Sequence, residues 1–83
     1  MEQEIIYAPS AFKHDIAGMD IEHAIKTHIT DELMAGFDNK YFVIGYDRAG
    51  NPLEIMYNRI DEVTIKVFHA MKCRRHFRDK FGI

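Results

Sequence analysis

The chain has 83 residues, enough for one small domain (residues 1–83) with a single core. With 47% hydrophobic and 29% charged residues and one cysteine, the composition excludes a disulfide framework and a low-complexity tract, and the net charge of −2 argues against a generic nucleic-acid binder. No segment approaches the roughly 18 apolar residues of a membrane span, and no basic region followed by an apolar run begins the sequence, so we expect a cytoplasmic protein without a membrane partner.

The first helices are predicted from residues that start and stop helices. Residues 1–7 read as an extended edge strand or a frayed end. Pro9 and Gly18 bracket a predicted helix over residues 10–17, which carries Lys13 and His14.

A second, amphipathic helix is predicted after Asp20 as its N-cap. Its apolar stripe has the spacing of one helix face and consists of Ile21, Ala24, Ile25, His28 and Ile29. We interpret residues 30–39 as a fraying helix end and a loop.

Three consecutive segments then predict a sheet. Residues 40–47 (KYFVIGYD), 52–58 (PLEIMYN) and 63–70 (VTIKVFHA) are rich in aromatic and β-branched residues, and a glycine-containing turn joins the first two. A terminal helix is predicted over residues 71–81. The expected fold is a small α+β domain of order α-α-β-β-β-α, with a three-stranded antiparallel sheet packed against helices.

The charges are divided unevenly along the chain. Residues 1–65 contain 5 Lys and Arg against 12 Asp and Glu, a net charge of −7, whereas residues 66–83 contain 6 basic residues and one acid, a net charge of +5. Such a basic segment can bind phosphate groups, bind an acidic partner protein or form a solvated helix face. Composition leaves these three alternatives open.

Five histidines raise the question of a metal site. His23 and His28 lie about 140° apart around a helix and cannot bind one ion from one face. His69 and His76 have no partner at ligand spacing. We therefore expect no metal and no other cofactor. Strand alternation gives His69 the face of Val63, Ile65 and Val67, and so a place at the end of the core, whereas His14 is expected on a polar surface.

The order of these features resembles the BrnT-like toxins of type II toxin–antitoxin systems, relatives of the RelE group. Three features carry the resemblance over about residues 10–81: the pair Lys13-His14, the I-G-x-x-x-x-G-x-x-L hairpin from Ile44 to Leu53, and the arginine-rich end after the third strand. The resemblance implies a small ribonuclease with a helix-and-sheet fold, neutralised by a cognate antitoxin.

The resemblance also implies roles for individual residues. Lys13 and His14 match the N-terminal lysine–histidine pair of the family, and residues 69–75 match its serine-alanine-arginine step and basic tail. Met71 stands at the arginine of that step, so Lys72 is the remaining cation. The catalytic candidates are His14, Lys13 and Lys72. The candidate RNA ligands are Lys66, His69, Arg74, Arg75 and His76.

Cleavage of RNA without a metal needs a base for the 2′-OH proton, a cation for the charge on the phosphorane, and an acid for the leaving oxygen. Histidine suits the proton transfers and Lys or Arg suits the phosphate. These roles require the first helix and the end of the last strand to be neighbours. The alternative function is a non-catalytic module that binds an acidic partner protein or nucleic acid, and a homo-oligomer is left open.

Overall fold

The centre of the sheet is formed by three successive segments in which apolar side chains alternate between the two faces. The computed structural model of the protein describes residues 3–83. In chain order these residues form β1 (Glu4–Tyr7), a 3-10 helix (Pro9–Phe12), α1 (Gly18–Lys26), β2 (Thr30–Leu33), β3 (Lys40–Tyr46), β4 (Pro52–Arg59), β5 (Thr64–Lys72) and α2 (Arg75–Phe81). None of the helices in this range is long and apolar enough to cross a membrane.

The sheet has five strands in the order β1-β5-β4-β3-β2. β1 runs parallel to β5, and every other neighbouring pair is antiparallel. The α+β class is confirmed, but the predicted three-stranded antiparallel sheet and the order α-α-β-β-β-α are wrong. The three predicted strands are present as β3, β4 and β5. The two further strands are four residues long and lie at the edges, so neither is long enough to show a clear alternation.

The segment before α1 is not the helix predicted over residues 10–17. Only Pro9–Phe12 is helical, and Asp15 has a φ of +60°, a left-handed conformation in which an α-helix cannot continue. The edge-strand interpretation of residues 1–7 is confirmed for Glu4–Tyr7, and residues 1 and 2 lie outside the described part of the chain.

α1 and the segment after it also differ from the prediction. α1 begins at Gly18 with Ala17 as its N-cap, so Asp20 lies within the first turn and is not the cap. The carboxylate of Asp20 instead accepts hydrogen bonds from the backbone and side chain of Arg48 in the β3–β4 turn. Residues 30–39 contain β2, which pairs with β3 and is not a helix end.

One face of the sheet is covered by α1 and the 3-10 helix, and it holds the main core. The buried residues of this face are Ala11, Ile21, Ala24, Val43, Leu53, Ile55, Tyr57, Ile65, Val67 and Ala70. Gly45 allows α1 to lie directly against β3, because a Cβ at this position would overlap the carbonyl oxygen of Ala24. We call this the α1 face.

The opposite face, which we call the α2 face, has a smaller apolar cluster. Phe77 and Phe81 of α2 pack with the buried Phe42 and Ile44, and the ring centroids of Phe42 and Phe77 are 4.6 Å apart. β5 continues to Lys72, so α2 is shorter than the helix predicted over residues 71–81.

A β-bulge in β5 decides which side chains reach the α2 face. Tyr57 of β4 pairs with Val67 and Met56 pairs with His69, so Phe68 has no partner in β4. The alternation reverses at this point, since Val67 and Ala70 are both in the core of the α1 face. His69 therefore lies on the α2 face, and the prediction that it shares the face of Val67 is wrong.

Candidate active site

A fully buried carboxylate lies at the centre of the α2 face. The Glu54 side chain is 0% exposed and accepts four hydrogen bonds, three of them from Arg74. Its Oε1 accepts from the backbone N–H and the Nε of Arg74 at 3.0 and 2.9 Å, and its Oε2 accepts from Nη2 at 2.8 Å. Nε2 of His69 lies 3.1 Å from Oε2. Glu54 thus connects β4 to β5 and to the start of α2.

These hydrogen bonds keep Glu54 ionised. Burial by itself would raise the pKa of the Glu54 carboxyl, but the hydrogen bonds from Arg74 and His69 outweigh it and lower the pKa below the ordinary value. The same contact raises the pKa of Arg74. Because an ionised carboxylate only accepts hydrogen bonds, the network assigns the proton to Nε2 of His69 and leaves Nδ1 for another partner.

His14 lies beside His69 although the two are distant in sequence. Their ring centroids are 5.6 Å apart with an angle of 75° between the rings. The turn that presents His14 is closed by the N–H of Asp15, which donates to the carbonyl of Phe12 at 3.2 Å. The preceding 3-10 helix is fixed to the bulge, because the Ser10 hydroxyl donates to the carbonyl of Phe68 at 2.7 Å.

The structure brings only some of the predicted residues together. His69 and Arg74 both contact Glu54, and His14 lies against the ring of His69. Lys66 lies on the α2 face of β5, a short distance along the strand from His69. Lys13 is exposed, next to His14 in the turn.

The other predicted residues lie elsewhere. Lys72 is exposed at the end of β5, and it lines a cavity of about 170 Å³ that involves neither histidine. Arg75 points into solvent with its side chain 94% exposed, 3.9 Å from Asp79, and His76 packs on the ring of Phe77 at 4.1 Å. Lys72, Arg75 and His76 therefore have no described contact with the histidine pair.

Glu54 is the residue of the candidate site that the sequence analysis missed. Strand alternation places Glu54 on the side of its strand opposite Leu53 and Ile55. The available signal was the single acid of residues 52–58, followed 20 positions later by an arginine-rich segment. Burial of that acid depends on the tertiary contact with Arg74.

Among residues 3–83, no group of three or more His, Cys, Asp or Glu side chains is placed to hold a metal ion. No protein-family model, curated protein or solved structure matches the chain. The resemblance to the BrnT-like toxins stays a prediction.

Proposed function

We propose that the protein cleaves RNA without a metal, with His14 and His69 as the acid–base pair. The observation that carries this proposal is the 5.6 Å separation of two imidazole rings, one of which is oriented by a buried carboxylate. Imidazoles exchange protons near neutral pH, and a pair at this separation can serve the two oxygens on either side of one phosphate.

In the proposed reaction, neutral His14 takes the proton of a ribose 2′-OH, and the 2′ oxygen attacks the adjacent phosphorus. The bond from phosphorus to the 5′ oxygen breaks, and protonated His69 gives a proton to that oxygen through Nδ1. The products are a 2′,3′-cyclic phosphate and a free 5′-OH, with one proton taken and one given. Lys13 and Lys66 supply positive charge for the phosphorane. Arg74 serves as a positioning residue, because Nε and Nη2 of its guanidinium are bound to Glu54.

A defined substrate tests the chemistry. The substrate is an oligodeoxynucleotide with one internal ribonucleotide, and its all-deoxy twin lacks the attacking hydroxyl. We expect wild-type protein to cut only the first, in the presence of a chelator, and to leave a cyclic phosphate end. His14→Ala and His69→Ala should each lower the rate by about 10² to 10⁴. His28→Ala is the matched control, since this exposed histidine hydrogen-bonds to the carbonyl of Ile25 and is not part of the candidate site.

The outcomes separate clearly. Cleavage of the all-deoxy twin, or full activity in both site variants, would contradict the proposed mechanism. Loss of activity with the chelator would contradict its independence of metal.

We also propose that this activity serves as the toxin of a type II toxin–antitoxin system in the cytoplasm, restrained by a cognate antitoxin. Support comes from the resemblance, whose Lys13-His14 pair is the part of the motif that lies beside His69. Induced expression should arrest bacterial growth, and His14→Ala or His69→Ala should restore it. Arrest that persists in both variants would contradict a toxic ribonuclease.

The second candidate function is a binding module without catalysis. It is favoured by α2, on which Arg75, Arg78 and Lys80 are all exposed. In that case wild-type protein would bind RNA or an acidic protein without cutting RNA, and Arg78→Glu with Lys80→Glu would weaken binding more than His14→Ala.

A further inference from the structure

A lysine lies between two phenylalanine rings on the open part of the α2 face. The Nζ of Lys40 is 5.1 Å from the ring centroid of Phe37 and 5.2 Å from that of Phe68. Phe37 belongs to the loop before β3, and Phe68 is the extra residue of the β5 bulge. We call these three side chains the aromatic cradle.

The aromatic cradle is not part of either core. Neither Phe37 nor Phe68 belongs to the apolar clusters of the two faces, and Phe37 is 48% exposed. A phenylalanine that packs on a cation at the surface contributes less to stability than one in a core, so the two rings need another explanation. Flat, partly exposed rings beside lysines are typical of surfaces on which nucleic-acid bases stack.

The aromatic cradle is next to the histidine pair. Phe68 precedes His69, and the bulge gives both residues the α2 face. Asn58 of β4 pairs with Lys40 of β3 on one side and with Lys66 of β5 on the other, so its amide lies between two cations. The Oδ1 of Asn58 is buried and has no hydrogen-bond partner within the described residues. Because buried polar groups are normally paired, this oxygen can accept a hydrogen bond from an N–H group that reaches it.

We propose that the aromatic cradle binds one base of a single-stranded RNA, next to the phosphate that His14 and His69 act on. This inference rests on the proposed function and names its substrate class. The base stacks on Phe68 in place of the Lys40 ammonium. The freed ammonium then binds a neighbouring phosphate, while Lys66 stays with the phosphate that is cleaved, and an N–H of the base reaches Oδ1 of Asn58. A duplex cannot enter, because the faces of its bases are covered by stacking.

Binding is measured apart from cleavage with a 2′-O-methyl oligonucleotide, which has no free 2′-OH. We expect wild-type protein to bind the single strand, to bind its duplex at least tenfold more weakly, and to lose affinity as salt rises. Phe68→Leu and Phe37→Leu each keep an apolar side chain but remove the ring. Phe68→Leu should weaken binding by about 5- to 150-fold, and Phe37→Leu should weaken it by a smaller factor. Phe68→Trp should bind as well as wild type or better.

Phe12→Leu is the matched control, since Phe12 is a 44% exposed phenylalanine that packs on Tyr7 and lies outside the aromatic cradle. Thermal melts of all variants check that they are folded. Equal affinity for duplex and single strand, or unchanged affinity in Phe68→Leu and Phe37→Leu, would overturn the proposal. Ring-dependent binding without cleavage of the ribonucleotide substrate would support the aromatic cradle and contradict the ribonuclease. Cleavage that does not depend on Phe68 would support the ribonuclease and contradict the aromatic cradle.

Discussion

The two faces of the sheet use the same strands in different ways. On the α1 face, aliphatic side chains such as Ile55 and Ile65 are 0% exposed and pack under a helix that touches the backbone of β3. On the α2 face, the equally buried Glu54 is surrounded by Arg74 and His69. Burying an aliphatic side chain contributes about 1.5–3 kcal/mol to stability, whereas a buried ion pair is often neutral against an apolar replacement. The α1 face therefore supplies most of the stability of the fold, and the α2 face holds the polar groups of the candidate site.

The contact between α1 and β3 gives the largest expected effect on stability. Gly45→Ala should lower the free energy of unfolding by about 3 kcal/mol, because the new Cβ overlaps the carbonyl oxygen of Ala24 and forces α1 away from the sheet. Urea denaturation measures the change. Gly18→Ala is the control, since a Cβ there would find its nearest atoms at 3.9 Å, and it should cost less than about 1 kcal/mol. Equal effects of the two substitutions would show that α1 does not depend on close approach.

Replacing Glu54 should separate stability from function. Glu54→Leu removes the buried charge and leaves the half-exposed Arg74 to water, so the free energy of unfolding should change by less than about 1 kcal/mol. Cleavage should fall by about 10²-fold, because the hydrogen bond that orients the ring of His69 is lost. The measurement pairs urea denaturation with the ribonucleotide assay. A strongly destabilised variant with normal cleavage would reverse the roles that we give to this face.

Lowering the pH should reduce the stability of the folded protein, because the Glu54 carboxylate on the α2 face becomes protonated. The pKa of its carboxyl is lower in the folded protein than the ordinary value of 4.5, so the unfolded chain binds more protons in the interval between the two values. The stabilisation is complete above about pH 4.5 and is lost as the pH falls through the folded-state pKa. Asp20, Asp47 and Asp61 also have lowered pKa values and add to the same trend. Melting temperatures measured downward from about pH 6 should fall less steeply in Glu54→Leu than in wild type. If the melting temperatures of wild type and Glu54→Leu fell equally steeply with pH, Glu54 would not be a source of the pH dependence.

The smallest expected effect on stability concerns the turn that presents His14. Asp15 has a φ of +60°, which glycine adopts without strain, so Asp15→Gly should change the free energy of unfolding by less than about 1 kcal/mol and leave cleavage intact. Asp15→Val, whose branched side chain disfavours this conformation, should move His14 and slow cleavage with little effect on the melt of the sheet. Identical cleavage rates in the two variants would show that the turn does not position His14.

Local patterns predicted the central strands because β3, β4 and β5 are rich in aromatic and β-branched residues. They did not predict β2, whose sequence TDEL has no strand alternation and is extended through pairing with β3. They also did not predict the bulge at Phe68, because an unpaired residue is defined only by the register of its neighbour. The face of His69 was consequently misplaced. His14 was singled out correctly as a surface residue, but its partner depends on contacts between segments that are distant in sequence.

The parallel pairing of β1 with β5 has a consequence for the timing of synthesis. Glu4 is made early, yet its partner Thr64 emerges from the ribosome only after most of the chain has been translated. His14 and His69 are separated along the chain in the same way. The nascent chain therefore lacks the proposed acid–base pair until β5 has left the exit tunnel. Under the proposed mechanism, no cleavage is expected before β5 has emerged and paired with β1.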